Sequence, residues 1–200
     1  MGSRPRLVHV VLQTGQVDAM RDWYCTVLNA HVVYAGHHLT FLTHDDEHHR
    51  IALLEMPPGM AERKSPATAA MHHSAWTFDS LDDLLDRYQE LAAKGIEPAV
   101  PIQHGVTTSL YYRDPDGNFV ELQIDNFASP DEATGYMEGP EYDSDAVGPS
   151  FDVQRMVEAR RNGASVQQLT TRAWALSGPE LPDPMTVLTG AGDPIGKASR

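Results

Sequence analysis

One order of elements is written twice in this chain, and the two copies place His9 and His73 at matching points 64 residues apart. Residues 6–13 are β-branched and apolar apart from His9 and read as a buried strand. Met20, Trp23, Tyr24, Val27 and Leu28 then follow the 3.6-residue period of an amphipathic helix from Val17 to Leu28, which Asn29 ends. Three short strand-like runs follow at 30–35, 39–43 and 49–55, separated by Gly36-His37 and by the polar turn from His44 to Glu47. After 56–70, rich in proline and small or charged residues, the order returns. A strand at 71–78 leads to a helix capped by Ser80, with Asp83 as capping-box partner, an apolar stripe of Leu81, Leu84, Leu85, Tyr88 and Leu91, and Gly95 as its stop. Strands at 98–103, 106–112 and 118–124 complete it, the last two joined by the turn Arg113-Asp114-Pro115-Asp116-Gly117.

Each copy is thus βαβββ, and a four-stranded module cannot cover both faces of its own sheet. The expected fold is α+β. Two modules, about 6–56 and 71–125 with a linker at 57–70, pair into one metal-binding domain over 1–126. Beyond it, 127–150 carries six acidic and no basic residues and three prolines, which reads as a wrapping arm or loose tail. Short helices are expected at 152–162 and 164–176, and a mobile end at 177–200.

With 200 residues, a single core suffices. Fifteen Lys and Arg against 28 Asp and Glu leave a net charge of −13, which repels phosphate backbones and argues against nucleic acid as a partner. No apolar run approaches the roughly 18 residues that cross a bilayer, so no membrane partner is expected. The opening Met-Gly-Ser-Arg-Pro-Arg-Leu lacks an apolar h-region, and a cytoplasmic location is expected. Cys25, the sole cysteine, reads as a buried structural thiol.

Most of the ten histidines need only a bland explanation, since His31, His37, His38, His44 and His48 fall at strand ends or turns. His9 and His73 differ because each interrupts an apolar strand at the same place in its module. Two neutral imidazoles hold a divalent ion weakly, so a carboxylate is expected to complete the set. Glu121 is the candidate: it stands in an apolar strand, where an unpaired carboxylate costs several kcal/mol and a nearby cation removes that cost. Two histidines and a carboxylate form the facial triad of non-haem Fe(II) oxygenases, although Mn(II) fits the same ligands.

The doubled module, Trp23-Tyr24-x-x-Val27-Leu28, His72-His73-Ser74-Ala75-Trp76 and the run from Tyr112 to Leu122 together resemble the vicinal oxygen chelate superfamily. Within it, His48-His49-Arg50-Ile51-Ala52-Leu53 and Ser109-Leu110-Tyr111 resemble type I extradiol ring-cleavage dioxygenases, the biphenyl-2,3-diol group. That resemblance implies a catechol-like substrate and O₂, with Fe(II) on His9, His73 and Glu121. It further implies His49 as acid/base, Tyr111 as a hydrogen-bond donor to substrate or oxygen, and His104 as a further histidine beside the site. The residue types suit the chemistry: a catechol holds its first proton until a pH of about 9–10, so a cation and a base are needed to take it as an anion, and imidazole carries protons near neutrality.

Two other readings stay open within the superfamily. In a glyoxalase-type isomerase a carboxylate of the first module closes the metal site, and Glu55 lies 46 residues after His9 where Glu121 lies 48 after His73. In a metal-free drug-binding protein the cleft merely holds a small molecule. Two modules rather than four leave sheet edges for a second subunit, and a homo-oligomer is expected.

Overall fold

A computed structural model describes residues 4–57 and 70–190, which divide into two compact units: 4–57 with 114–118, and 70–113 with 119–190. The segment 58–69, most of the expected linker, and the terminal 191–200 lie outside the described residues.

The first unit runs β1 (Val10–Thr14), α1 (Val17–Val27), β2 (His31–Gly36), β3 (Leu39–Thr43) and β4 (Ile51–Glu55). Its sheet has the order β1-β4-β3-β2, with β1 parallel to β4 and the other pairs antiparallel. The helix between β1 and β2 carries the chain over the sheet, so the first and last strands can meet in parallel. Helix α1 buries Met20, Tyr24 and Val27, the stripe that its periodicity marked.

Five expectations are corrected here. Strand β1 begins at Val10, so His9 precedes it rather than interrupting it. Nor is the segment buried: β1 is an edge strand bonded only to β4, and Leu7, His9 and Val11 are exposed while Val8, Val10 and Leu12 are half-buried. Uniformly apolar composition hid that alternation. His49 likewise lies two residues before β4, and the hairpin break falls on His37-His38, both left-handed (φ 51° and 64°), between paired Gly36 and Leu39. Cys25 is half-buried, although burial still pushes its thiol up.

The turn 114–118 is held from α1. The Tyr24 hydroxyl donates to Asp114 Oδ2 at 3.0 Å, and Asn118 donates its backbone N–H to Oδ1 and its Nδ2 to Oδ2, both at 2.8 Å. Burial pushes the Asp114 carboxyl up, and these donors oppose that push. Asp114→Ala would leave the buried Tyr24 hydroxyl without its acceptor and release both Asn118 donors of the turn. At about 1–3 kcal/mol for an unsatisfied buried group, and without full additivity, the expected loss is about 3 kcal/mol. It should be read as a lower urea midpoint at unchanged m.

The second unit repeats the order as β5 (His73–Thr77), α2 (Leu81–Ala92), β6 (Val100–Gln103), β7 (Thr107–Arg113) and β8 (Phe119–Asp125), with sheet order β5-β8-β7-β6 and β5 parallel to β8. Helix α2 buries Leu81, Leu84, Leu85, Tyr88 and Leu91 as expected. Its Ser80 cap accepts from the Asp83 N–H but donates its hydroxyl to the Asp83 carboxylate at 2.5 Å, so the expected box closes side chain to side chain.

Residues 127–150, read as a wrapping arm or a loose tail, carry two helices. Helices α3 (Pro130–Met137), α4 (Pro140–Ser144), α5 (Val153–Arg161), α6 (Val166–Leu169), α7 (Arg172–Leu176) and α8 (Pro184–Leu188) follow β8. Pro130, Pro140 and Pro184 open helices in place of breaking them, because the first turn needs no proline N–H. Between α4 and α5 the chain lies along β6: Gln103 N donates to Pro149 O at 2.9 Å and Phe151 N to Pro101 O at 3.3 Å. Gly148 makes that approach with φ +86°, where a Cβ would stand 2.1 Å from Gln103 O. Val147, Val187 and Leu188 pack on the cluster Val100, Ile102, Tyr111 and Phe119, so the extension covers core that the module leaves open. No helix of the described residues is long and apolar enough to cross a membrane.

Candidate active site

In the first unit, parallel pairing puts the residues before β1 beside those before β4. Val10 pairs with Ile51, and Val10 N donates to Arg50 O at 3.0 Å. Arg50 also clamps the lead-in to His9, donating from Nη1 to Val8 O at 3.0 Å and Leu7 O at 3.3 Å, while its Nη2 meets Asp45 at 2.9 Å. The rings of His9 and His49 are thereby 4.3 Å apart. Phe41 on β3 stacks on His49 at 4.5 Å and 11°. His48 and His49 face each other Nδ1 to Nδ1 at 2.6 Å, and a pair at that distance shares one proton. Burial, then the neighbouring His9 and His48, push the His49 imidazole down, which leaves it neutral with a lone pair to use near pH 7. Glu55 is exposed and meets His38 at 3.0 Å.

The second unit gathers His73, Glu121, Tyr111 and His104. Tyr111 stands directly opposite Glu121 across the β7–β8 ladder, and Ala75 stands opposite Glu121 on β5, too small to fill the space before the carboxylate. His73 Nε2 lies 3.1 Å from Glu121 Oε2, and the carboxylate side chain is only 5% exposed. Burial pushes the Glu121 carboxyl up, but hydrogen bonds with His73, Ser109 and Tyr111 outweigh it and bring the carboxyl below its ordinary value. Burial, followed by the carboxylate, pushes the Tyr111 phenol far up, so it stays a donor at all working pH values.

His104, just after β6, points Nδ1 at Val147 O (2.5 Å) and Nε2 at the Tyr111 hydroxyl (3.0 Å). A carbonyl only accepts, so Nδ1 carries the proton. Burial pushes the ring down, and Nε2 of the neutral ring is then an acceptor. The Tyr111 hydroxyl therefore stands between two acceptors, His104 and Glu121, with one proton to give. Arg172 on α7 holds the same loop, donating to His104 O at 2.5 Å. Neither Val147 O nor Arg172 was legible beforehand; a carbonyl has no sequence signal, and Arg172 lies 68 positions from its acceptor.

Among the described residues no group of three or more His, Cys, Asp or Glu side chains is gathered to hold an ion. The pair His73 and Glu121 is the part of the expected triad that one unit supplies.

Residues 6–122 match the model of the Glyoxalase/Bleomycin resistance protein/Dioxygenase superfamily. The chain is 63% identical over 190 residues to biphenyl-2,3-diol 1,2-dioxygenase 2 of Rhodococcus globerulus, covering 94% of this chain and all of that one. It is 59% identical over 172 residues to biphenyl-2,3-diol 1,2-dioxygenase 3 of the same organism, covering 86% of this chain and 90% of that one. Among solved structures, a glyoxylase/bleomycin resistance protein/dioxygenase domain from Frankia sp. EAN1pec shares the fold at TM-score 0.53 and 20% identity, over 64% of this chain and 96% of that one.

Proposed function

The chain belongs to the Glyoxalase/Bleomycin resistance protein/Dioxygenase superfamily, and from that membership we propose that it opens a catechol-like ring beside the diol with O₂ at a non-haem Fe(II) centre. It is an extradiol dioxygenase, and the observation that carries this is the 63% identity along the full length of a biphenyl-2,3-diol 1,2-dioxygenase. In this reading His9, His73 and Glu121 bind the metal, His49 is the acid/base, and Tyr111 with His104 forms the hydrogen-bonding wall. The metal-binding domain is 1–126, extended by 127–200.

The donor set fits a divalent cation. An imidazole nitrogen and a buried carboxylate oxygen 3.1 Å apart have the spacing of neighbouring ligands each about 2.1 Å from one ion. The carboxylate has no Lys or Arg ion-pair partner among the described residues, so a cation would meet it without displacing a fixed positive side chain. When bound, Fe(II) supplies the positive charge that acidifies the diol and the redox-active electrons that allow O₂ to react with the ring.

The chain's own groups do the rest. The single Tyr111 proton, directed at His104 Nε2 or Glu121 in the resting site, is the one the phenol turns to an oxygen of the substrate or O₂. His49 takes a proton from the diol and returns one when the O–O bond breaks. Tyr111→Phe removes one buried hydrogen bond, about 1–3 kcal/mol, and kcat/KM is expected to fall roughly 5- to 150-fold at unchanged metal content. A homo-oligomer belongs to the same reading, since the edge strand β2 exposes Val32, Val33 and Tyr34.

The test is anaerobic reconstitution with Fe(II) followed by a catechol panel that includes biphenyl-2,3-diol, reading oxygen uptake and the visible absorbance of the ring-opened product. One O₂ consumed per ring opened is the expected result. Diol binding without oxygen consumption would sink the assignment.

A further inference from the structure

We propose that His72 is a positioning residue that sets the proton of the His73 ring for metal binding, anchored by the backbone carbonyl of Leu188. The inference rests on the reading of His73 as a metal ligand. His72 precedes β5, so strand alternation does not turn it away from its neighbour. Its Nε2 lies 3.1 Å from Leu188 O and its Nδ1 lies 2.8 Å from His73 Nδ1. A carbonyl has no proton to give, so His72 carries hydrogen on Nε2. The neutral ring then presents a bare Nδ1, and the proton between the two Nδ1 atoms comes from His73. Nε2 of His73 donates to Glu121 here, and because Nδ1 keeps the hydrogen that His72 accepts, Nε2 is the nitrogen whose hydrogen a cation can replace. Without this acceptor the His73 ring could keep its last proton on Nε2 and give it to the carboxylate, the arrangement that excludes a cation.

The anchor is built rather than incidental. The His72 ring stacks on Phe119 at 5.3 Å and 23°. Arg113 sits 4.3 Å from that phenyl ring and donates to Val187 O at 3.2 Å, so neighbouring carbonyls of α8 are engaged from the same group of side chains. Val187 and Leu188 also pack on the Val100, Ile102, Tyr111 and Phe119 cluster. The C-terminal extension thereby gains a task that its acidic, proline-rich composition does not advertise: it orients a ligand histidine through a backbone oxygen.

Two measurements test this. Fe(II) affinity is measured anaerobically by competition with a chromogenic chelator for wild type, His73→Ala, His72→Leu and His72→Gln. Loss of binding is expected for His73→Ala and a weakening of about 10- to 100-fold for His72→Leu. His72→Gln should recover most of it, because its amide can donate to Leu188 O and accept from His73. Independently of any variant, imidazole nitrogen NMR of the Zn(II)-loaded wild type should show hydrogen on Nε2 of His72 and on Nδ1 of His73. If wild type binds no Fe(II), or His73→Ala binds it as tightly as wild type, the ligand reading fails and this inference with it. If His73 is needed but His72→Leu is folded and binds normally, or the His72 hydrogen sits on Nδ1 alone, only the relay is overturned. A His72→Leu chain that does not fold leaves the decision to the NMR measurement on wild type.

Discussion

Glu121→Gln is expected to strip the protein of its metal and to lower ring-cleavage turnover by at least about a hundredfold while the fold survives. Removing a group that merely orients a ligand already costs about 10- to 100-fold in metal affinity, and Glu121 is the only anion in the proposed ligand set. Glutamine keeps the shape, and its carbonyl can still accept from Ser109 or Tyr111, the partners that hold the carboxylate now. Stability should therefore change by only about 1 kcal/mol, since the hydrogen bonds weakened with the charge are offset by the removal of its desolvation cost. Metal analysis after gel filtration, beside a thermal melt, separates the two effects. A variant that keeps full iron content and turnover would remove Glu121 from the ligand set.

His49→Phe is expected to lower kcat by about 10²- to 10⁴-fold, the range for loss of a positioned acid/base, with metal content and diol binding retained. Phenylalanine preserves the ring that stacks on Phe41, so packing in the first unit is not at issue. The two ring nitrogens are lost, and with them the Nδ1 contact to His48. The role requires an imidazole that is neutral and has a lone pair, and burial together with His9 and His48 provides that state. A rise in KM alone, with kcat intact, would make His49 a binding residue instead.

The elements were legible because their signals are local. Ser80, Gly95 and the stripe from Leu81 to Leu91 specify α2 within one stretch of chain, and α2 folds as that pattern demands. Two matching βαβββ orders were enough to expect two four-stranded modules, whereas the adjacency of first and last strands in each sheet came from the structure. Glu121 was legible for a related reason: a carboxylate amid Phe119, Val120 and Leu122 must be buried, and it is.

Misreadings arose where a residue's environment depends on its neighbours in space. Apolar composition at 6–13 could not say that β1 is an edge strand, and so it made His9 look buried. The prolines of the extension carry the same local signal whether they break a helix or open one, and packing on β6 and its cluster decided for order.

The residue types at the candidate site, and the doubled module that carries them, were determined by the sequence itself, through hydrophobic periodicity and turn chemistry over a few residues at a time. The proton positions on His104 and His72 were decided by tertiary structure alone. Each is fixed by a backbone carbonyl, Val147 O or Leu188 O, brought from 43 or 116 residues away, and a carbonyl that every residue possesses acquires a role only from where the fold puts it.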